Sequence, residues 1–309
     1  MYLILSHRAP DQLLRLVRTL RRGSPQAQIV VSHDYCASHL DPALFHGISN
    51  FTLLPSRTPV AWGSWSQLAR YMGALEWAEA NLTFDWIVPL SGQDYPIRPL
   101  PEIEEELERT PCDVLIDKPL HIQRDVPSSY GPALEQDYRM WFFYRHYRLP
   151  LRRLPHVVRP RRSPGRLPLW YLRHMAEDGP VYIGLRSSTP FDAELRCLKG
   201  SDWFTASSRA VARLVRAWRE DDELVRHYRR TLSPVESFFH TVLLNTPDLP
   251  ASLDNRRYIV WARDAAHPKL LRLEDLDGML ASGQHFARKF DLEVDSTVLD
   301  ELDRRLDPR

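Results

Sequence analysis

Along the first third of the chain the apolar positions switch between two spacings. Tyr2-Leu3-Ile4-Leu5 is a continuous apolar run, the pattern of a short buried strand. Leu13, Leu14, Leu16, Val17 and Leu20 then share one face of a helix whose outer face carries Arg15, Arg18, Arg21 and Arg22, and Gly23-Ser24-Pro25 stops it. Strands are predicted at Ile29-Val30-Val31, ending in Ser32-His33-Asp34, and at Phe51-Thr52-Leu53-Leu54. A helix is predicted over Trp65 to Ala80, with Leu68, Met72 and Leu75 on one face. Asp85 to Leu90 reads as a strand running into the turn Ser91-Gly92-Gln93-Asp94. Pro101 then opens a short acidic helix, and Val114-Leu115-Ile116 returns to strand. This alternation predicts an α/β sheet with helices on both faces. Ligands of such sheets gather beyond the carboxyl ends of the strands, where Asp34 and Asp94 fall. Aspartates there also cap turns, and the pattern leaves both roles open.

The middle of the chain differs. From Arg145 to Arg173 there are nine arginines and no acid, so this stretch carries a local positive field. Prolines at 150, 155, 160, 164 and 168 predict a long irregular basic insert over 145–173. Trp141-Phe142-Phe143-Tyr144 and Trp170-Tyr171 flank it. It reads either as a solvated loop or as a surface for an anionic partner, such as the headgroups of a membrane. The proline density and the lack of a helix-turn-helix or RNA-recognition pattern count against nucleic acid.

Polar signals concentrate in the second half. Lys199-Gly200-Ser201-Asp202-Trp203-Phe204 leads through Ser207 into a helix with Val211, Leu214, Val215 and Trp218 on one face. In Leu232-Ser233-Pro234-Val235-Glu236, Ser233 suits an N-cap, Pro234 the first helical position, and Glu236 stands three residues after the cap. That spacing makes a capping box, in which the Glu236 carboxylate reaches back to the Ser233 N–H. Phe286-Ala287-Arg288-Lys289-Phe290-Asp291 alternates aromatic and charged residues. Arg288 and Lys289 are either two solvated basic residues on a helix or a pair that clamps a diphosphate between buried aromatics.

Composition narrows the class. With 309 residues, 43% hydrophobic and 26% charged, the chain is globular and fits a single domain over 1–309. Forty-one basic against forty acidic side chains leave +1, so no whole-chain attraction to a polyanion follows. Cys36, Cys112 and Cys197 are odd in number and form no CxxC, which argues for a reducing, cytoplasmic setting. No apolar run approaches a membrane span, and MYLILSH is too short and lacks the basic start of a signal peptide. Walker A, GxGxxG, GxSxG, HExxH and EF-hand patterns are absent. Asp275-Leu276-Asp277 spells the DxD of metal–nucleotide sites, but within LEDLDGML it reads as a helix start.

WGSWSQLARYM, DWIVPLSGQDYPIRPL, KGSDWF, LSPVESFFHTVLLNTP, the tryptophan of RRYIVW and FARKFD occur in an order that resembles glycosyltransferase family 14. That family holds the core-2/I-branching β-1,6-N-acetylglucosaminyltransferases and the peptide O-xylosyltransferases. GSDWF, ESFFHTVL and FARKF look nearest the xylosyltransferase branch. The resemblance runs from the first strand to Asp291, with the basic insert the least matched part.

The resemblance implies an A-type glycosyltransferase (GT-A) fold, Rossmann-like, with a central mostly parallel sheet flanked by helices. It implies an inverting, metal-independent transfer from a UDP-sugar to a hydroxyl, with UDP a substrate's leaving group and no cofactor. On this resemblance Glu236 is the general base. Arg288 and Lys289 stabilise the departing diphosphate, Asp34 lies near the uridine, and Lys269 is a loosely aligned further phosphate contact. Asp202, Trp203 and Asp94 fall on the donor-sugar side and Trp261 near the acceptor. UDP-xylose is the favoured donor and UDP-N-acetylglucosamine the next. The acceptor is expected on a glycan, a lipid-linked glycan or a peptide, and the basic insert is expected to touch an anionic membrane face. The competing class is a non-catalytic nucleotide- or glycan-binding relative.

Overall fold

The computed structural model describes residues 1–56, 58–129, 136–150, 167–174, 181–262 and 267–306. The first half alternates as predicted: β1 (Tyr2–Ser6), α1 (Pro10–Gly23), β2 (Ile29–Asp34), β3 (Phe51–Ser56), α2 (Trp65–Asn81), β4 (Trp86–Ser91), β5 (Asp94–Pro96), α3 (Leu100–Arg109) and β6 (Val114–Ile116). Then follow β7 (Leu120–His121), α4 (Arg139–Phe142), β8 (Tyr144–Arg148), β9 (Trp170–His174), β10 (Val181–Arg186) and β11 (Leu198–Lys199). The second half continues with β12 (Phe204–Ser207), α5 (Ser208–Glu220), α6 (Asp222–Tyr228), α7 (Val235–Leu244), β13 (Ala251–Ser252), β14 (Arg257–Ile259), α8 (Leu276–Ala281), β15 (Phe286–Arg288) and α9 (Thr297–Leu306).

Seven strands form the central sheet in the order β13-β6-β12-β4-β1-β2-β3. β12 runs antiparallel to both its neighbours, and every other pair is parallel. Side-chain alternation along each strand supplies a core to both faces. Leu3, Val30, Ile87, Val114 and Ile116 join a cluster with α2, α5 and α7 residues such as Leu75, Leu214 and Phe239. Tyr2, Ile4, Ile29, Val31, Val88, Leu90 and Leu115 join another with Leu16 of α1, Ile103 of α3 and Leu299 of α9. This is the mixed α/β architecture, with its mostly parallel sheet between helices, that the periodicity and the GT-A resemblance both imply. Among the described residues, no helix is long and apolar enough to cross a membrane.

Three expectations change. The turn after β4 is present, but Asp94 also opens β5, which belongs to a second sheet of order β14-β15-β5. Phe286–Arg288 of FARKF is therefore strand, not helix, and Lys289 follows its end: β15 pairs with β5 so that Arg288 stands opposite Asp94. The stretch 145–173 is not irregular throughout. Its two ends are β8 and β9, both antiparallel to β10, and prolines 150 and 168 flank these strands rather than interrupt them. Residues 151–166, with Arg152, Arg153, Arg159, Arg161, Arg162 and Arg166, lie outside the described residues.

Candidate functional site

The KGSDW segment is pinned to the start of α7. Gly200 N–H donates to the Glu236 carbonyl at 2.9 Å. A Cβ on Gly200 would fall 2.1 Å from His240 Nε2, so only glycine allows this approach. Ser201 donates its N–H and its hydroxyl, the latter at 2.7 Å, to Asp117, and fully buried His240 sets Nε2 3.2 Å from the same carboxylate. Burial works against the Asp117 charge, but the hydrogen bonds from His240 and Ser201 prevail and hold it below the usual carboxylate range.

The capping box at Glu236 does not form. Ser233 sits in the left-handed region at φ 41°, and its N–H is taken by the Gly63 carbonyl at 2.8 Å. The donor that the box would satisfy is therefore already used by the WGSW turn, and α7 starts one residue late with no side-chain cap. Glu236 Oε2 instead lies 2.8 Å from Lys199 Nζ, with 22% and 17% of the side chains exposed, so the pair stays open to a ligand. The Lys199 ammonium also sits over the Tyr138 ring, 4.8 Å from its centroid. Burial opposes the Lys199 charge, yet Glu236, Tyr138 and Asp117 outweigh it and leave its pKa above the ordinary lysine value.

Arg288 and Lys289 are neither helical nor simply solvated. Arg288 Nε is 3.1 Å from Asp94 Oδ1, and the guanidinium lies 4.2 Å above the Trp203 ring. Such stacking contributes about 1–2 kcal/mol in a partly desolvated site. Among the described residues, the two Nη groups of Arg288 have no partner and remain available. Asp94 does both things the pattern allowed: it accepts from Ser91 N–H at 2.6 Å, closing the turn, and it anchors Arg288. Burial raises its pKa, with Arg288, Ser91 and Arg257 acting in the opposite sense.

Asp202 lies in the segment between the two groups. Its dense surroundings push its pKa up to about 6; Arg288 pulls it down, while Glu236 and Asp94 raise it further. The short segment Lys199–Trp203 links the two charged groups: Lys199 and Gly200 contact Glu236 at one end, and Trp203 stacks under Arg288 at the other.

A second charged group lies at the ends of β1 and β2. Buried Asp34 accepts from Cys36 N–H at 2.9 Å and Val60 N–H at 3.2 Å, tying β2 to the loop before α2. Arg70 of α2 donates to the Ser6 carbonyl at 2.8 Å and to Ser32. Burial lowers its pKa to about 10 against the pull of Asp34. The His7 pKa is lowered by burial, then by the nearby charges of Arg8 and Arg70. Lys289 is half-buried and makes no ion pair among the described residues. Burial and then Arg8 and Arg288 depress its pKa, which marks an ammonium held among cations.

Lys269 and Trp261 stand apart from these contacts. The Lys269 ammonium pairs with Asp275 at 2.7 Å and Glu274 at 3.3 Å. Asp275 also accepts from Arg272 N–H at 3.0 Å, in keeping with a helix start rather than a metal-binding DxD. Trp261 follows β14 with 58% of its surface exposed, and the exposed Trp62 packs edge-on against His267 of the same 260–269 segment.

Sequence reasoning assigned no role to Lys199, Asp117, Tyr138, His240, Arg70 or Arg257. Lys199 and His240 lie inside recognised motifs, and a signal existed in their adjacency to Gly200 and Glu236. Arg257 carried none: it is buried beneath the cleft and donates to the Pro89 and Phe204 carbonyls of β4 and β12.

The fold and these contacts define an open-sheet α/β protein with charged side chains gathered beyond the carboxyl ends of β1, β2 and β4. Comparison with known proteins makes the class more specific. Residues 171–280 match the family model described as Core-2/I-Branching enzyme, in line with the family that the motifs resemble. It is 26% identical over 333 residues to Xylosyltransferase oxt of Drosophila melanogaster, across 98% of this chain and 33% of that protein. It is 26% identical over 282 residues to human Xylosyltransferase 1, across 82% of this chain and 24% of that one. It is also 24% identical over 293 residues to Beta-glucuronosyltransferase GlcAT14B of Arabidopsis thaliana, across 93% and 58% respectively. The chain thus spans a third or less of the two xylosyltransferases' length.

Proposed function

We propose that the chain is an inverting glycosyltransferase that moves a sugar from a UDP-sugar to a hydroxyl group. In the proposed step the acceptor oxygen bonds to the anomeric carbon while the bond from that carbon to the β-phosphate oxygen breaks. The hydroxyl proton passes to Glu236, and UDP departs. Arg288, held by Asp94 and Trp203, and Lys289 take up the charge developing on the diphosphate, so no metal enters the step. Preorganised donors of this kind contribute about 2–4 kcal/mol each to transition-state stabilisation. Asp34 borders the nucleotide end, Asp202 the sugar.

The observation that supports the reading is the release of Glu236 from the helix cap to Lys199, at one end of the Lys199–Trp203 segment whose other end stacks under Arg288. UDP-xylose is the favoured donor, from GSDWF and ESFFHTVL and from the names of the relatives, with UDP-N-acetylglucosamine as the alternative. A non-catalytic relative would have no use for a carboxylate withheld from its helix cap. The test is UDP release with UDP-xylose, UDP-N-acetylglucosamine, UDP-glucose and UDP-glucuronate, comparing the parent with Glu236→Gln. Loss of at least 100-fold in the variant is expected, and equal turnover by both proteins overturns the base assignment.

We further infer peripheral contact with an anionic membrane surface, in a cytoplasmic setting that suits the three free cysteines. On the small sheet, Leu185 lies between Arg145 of β8 and Trp170 of β9. Leu169, Trp170 and Leu185 are 65%, 37% and 40% exposed, and Arg145 and Arg148 stand exposed on β8. Apolar side chains among arginines match headgroups above acyl chains. Co-sedimentation with phosphatidylglycerol vesicles, lost in Arg145→Ser/Arg148→Ser/Trp170→Ser, is expected; no binding by the parent ends this inference.

A further inference from the structure

We propose that Lys199 is a positioning residue for the reaction: it fixes the rotamer of Glu236 so that the carboxylate faces the incoming hydroxyl. The inference rests on the reading of Glu236 as the base.

Glu236 stands in the first turn of α7 with nothing of its own helix to hold it. Its natural local partner, the Ser233 N–H, is bound to Gly63. A glutamate so placed samples several rotamers, and general-base efficiency depends on one of them. Lys199 supplies the missing constraint at 2.8 Å. It is itself immobilised from three sides. Its backbone pairs with Leu120 of β7, its ammonium rests over the Tyr138 ring, and the following Gly200 is seated against His240 and the Glu236 carbonyl. The ion pair bridges two segments, β11 and the head of α7, that no other side-chain contact of Glu236 joins among the described residues. With only 17% and 22% of the two side chains exposed, the pair is partly shielded from water, and the ammonium holds the carboxylate where it stands.

The experiment uses the full chain with the UDP-sugar found to be turned over. Lys199→Met keeps the stem and removes the ammonium. Its expected signature is a kcat lowered 10- to 100-fold with the donor KM changed less than threefold and an unchanged melting temperature. Lys199→Arg, which restores a cation over Tyr138, is expected to recover at least a third of the parent kcat. Because Lys199 acts through Glu236, Lys199→Met/Glu236→Gln is expected to be no slower than Glu236→Gln alone. Parent-like kcat in Lys199→Met, failure of arginine to rescue, or a further loss in the double variant each overturns the proposal. Parent-like turnover in Glu236→Gln instead condemns the base assignment on which it rests.

Discussion

The seat of the KGSDW segment on α7 makes Gly200→Ala an informative perturbation. The added methyl would lie 2.1 Å from His240 Nε2, 2.4 Å from Cε1 and 2.6 Å from Cδ2. These distances fall about 1 Å or more short of ordinary contact, roughly 3.5 Å. His240 cannot swing away, because its ring is fully buried and its Nε2 sits 3.2 Å from Asp117. The yielding part is therefore the segment from Lys199 to Trp203, which must lift by about 1 Å from α7. Overpacking of this kind costs about 1–3 kcal/mol, or, for a chain of this size, a melting-temperature drop of roughly 2–5 °C. The same lift moves Lys199 off Glu236 and Trp203 off Arg288, and a displacement of that size costs about 100-fold in rate. Calorimetric melting and UDP release, measured on the parent and on Gly200→Ala, give both numbers. Adding His240→Ala makes room for the methyl and is expected to return part of the lost turnover. A single variant that melts and turns over like the parent would refute the close approach.

Two further outcomes follow from the charges. Asp202 has a pKa of about 6 against an ordinary 3.8, so the folded chain holds its proton more tightly than the unfolded chain does. Its ionisation subtracts stability as pH rises from 3.8 to about 6, and the full cost, on the order of 2–3 kcal/mol, is present above that. Asp202→Asn is therefore expected to be more stable than the parent in urea at pH 7.5 and to lose that advantage as pH falls below 4; a less stable variant at pH 7.5 contradicts the assignment. Lys269→Ala, which deletes an ammonium already matched by Asp275 and Glu274, is expected to leave UDP affinity within twofold by calorimetry, and a tenfold loss would return Lys269 to the phosphate site.

Much of the sheet was legible because each strand of the first half is a short apolar run and each helix an apolar stripe with arginine or glutamate outside. β1, α2 and β6 emerged within a residue or two of their positions for that reason. What failed was local logic where tertiary contacts compete for the same donor. Ser233-Pro234-Val235-Glu236 has every attribute of a capping box, and only the approach of Gly63, 170 positions earlier in sequence, takes away the amide it needs. FARKF has no strand periodicity long enough to read, and its strand exists because β5 offers it an edge. The prolines of the basic insert were weighed as breakers, although 150 and 168 only bound β8 and β9. The cleft chemistry was half visible. Arg288, Asp94 and Trp203 converge, while Glu236 is held by Lys199 and the Gly200 amide, through contacts that spacing does not encode.

The central claim is that side chains, and no metal, hold the diphosphate in this cleft. Titration calorimetry with UDP in the presence of EDTA tests it most directly, on the parent and on Arg288→Met/Lys289→Met. The account predicts parent affinity indifferent to the chelator and at least 30-fold weaker in the double variant. UDP binding that vanishes with EDTA, or that survives removal of both cations, would contradict it.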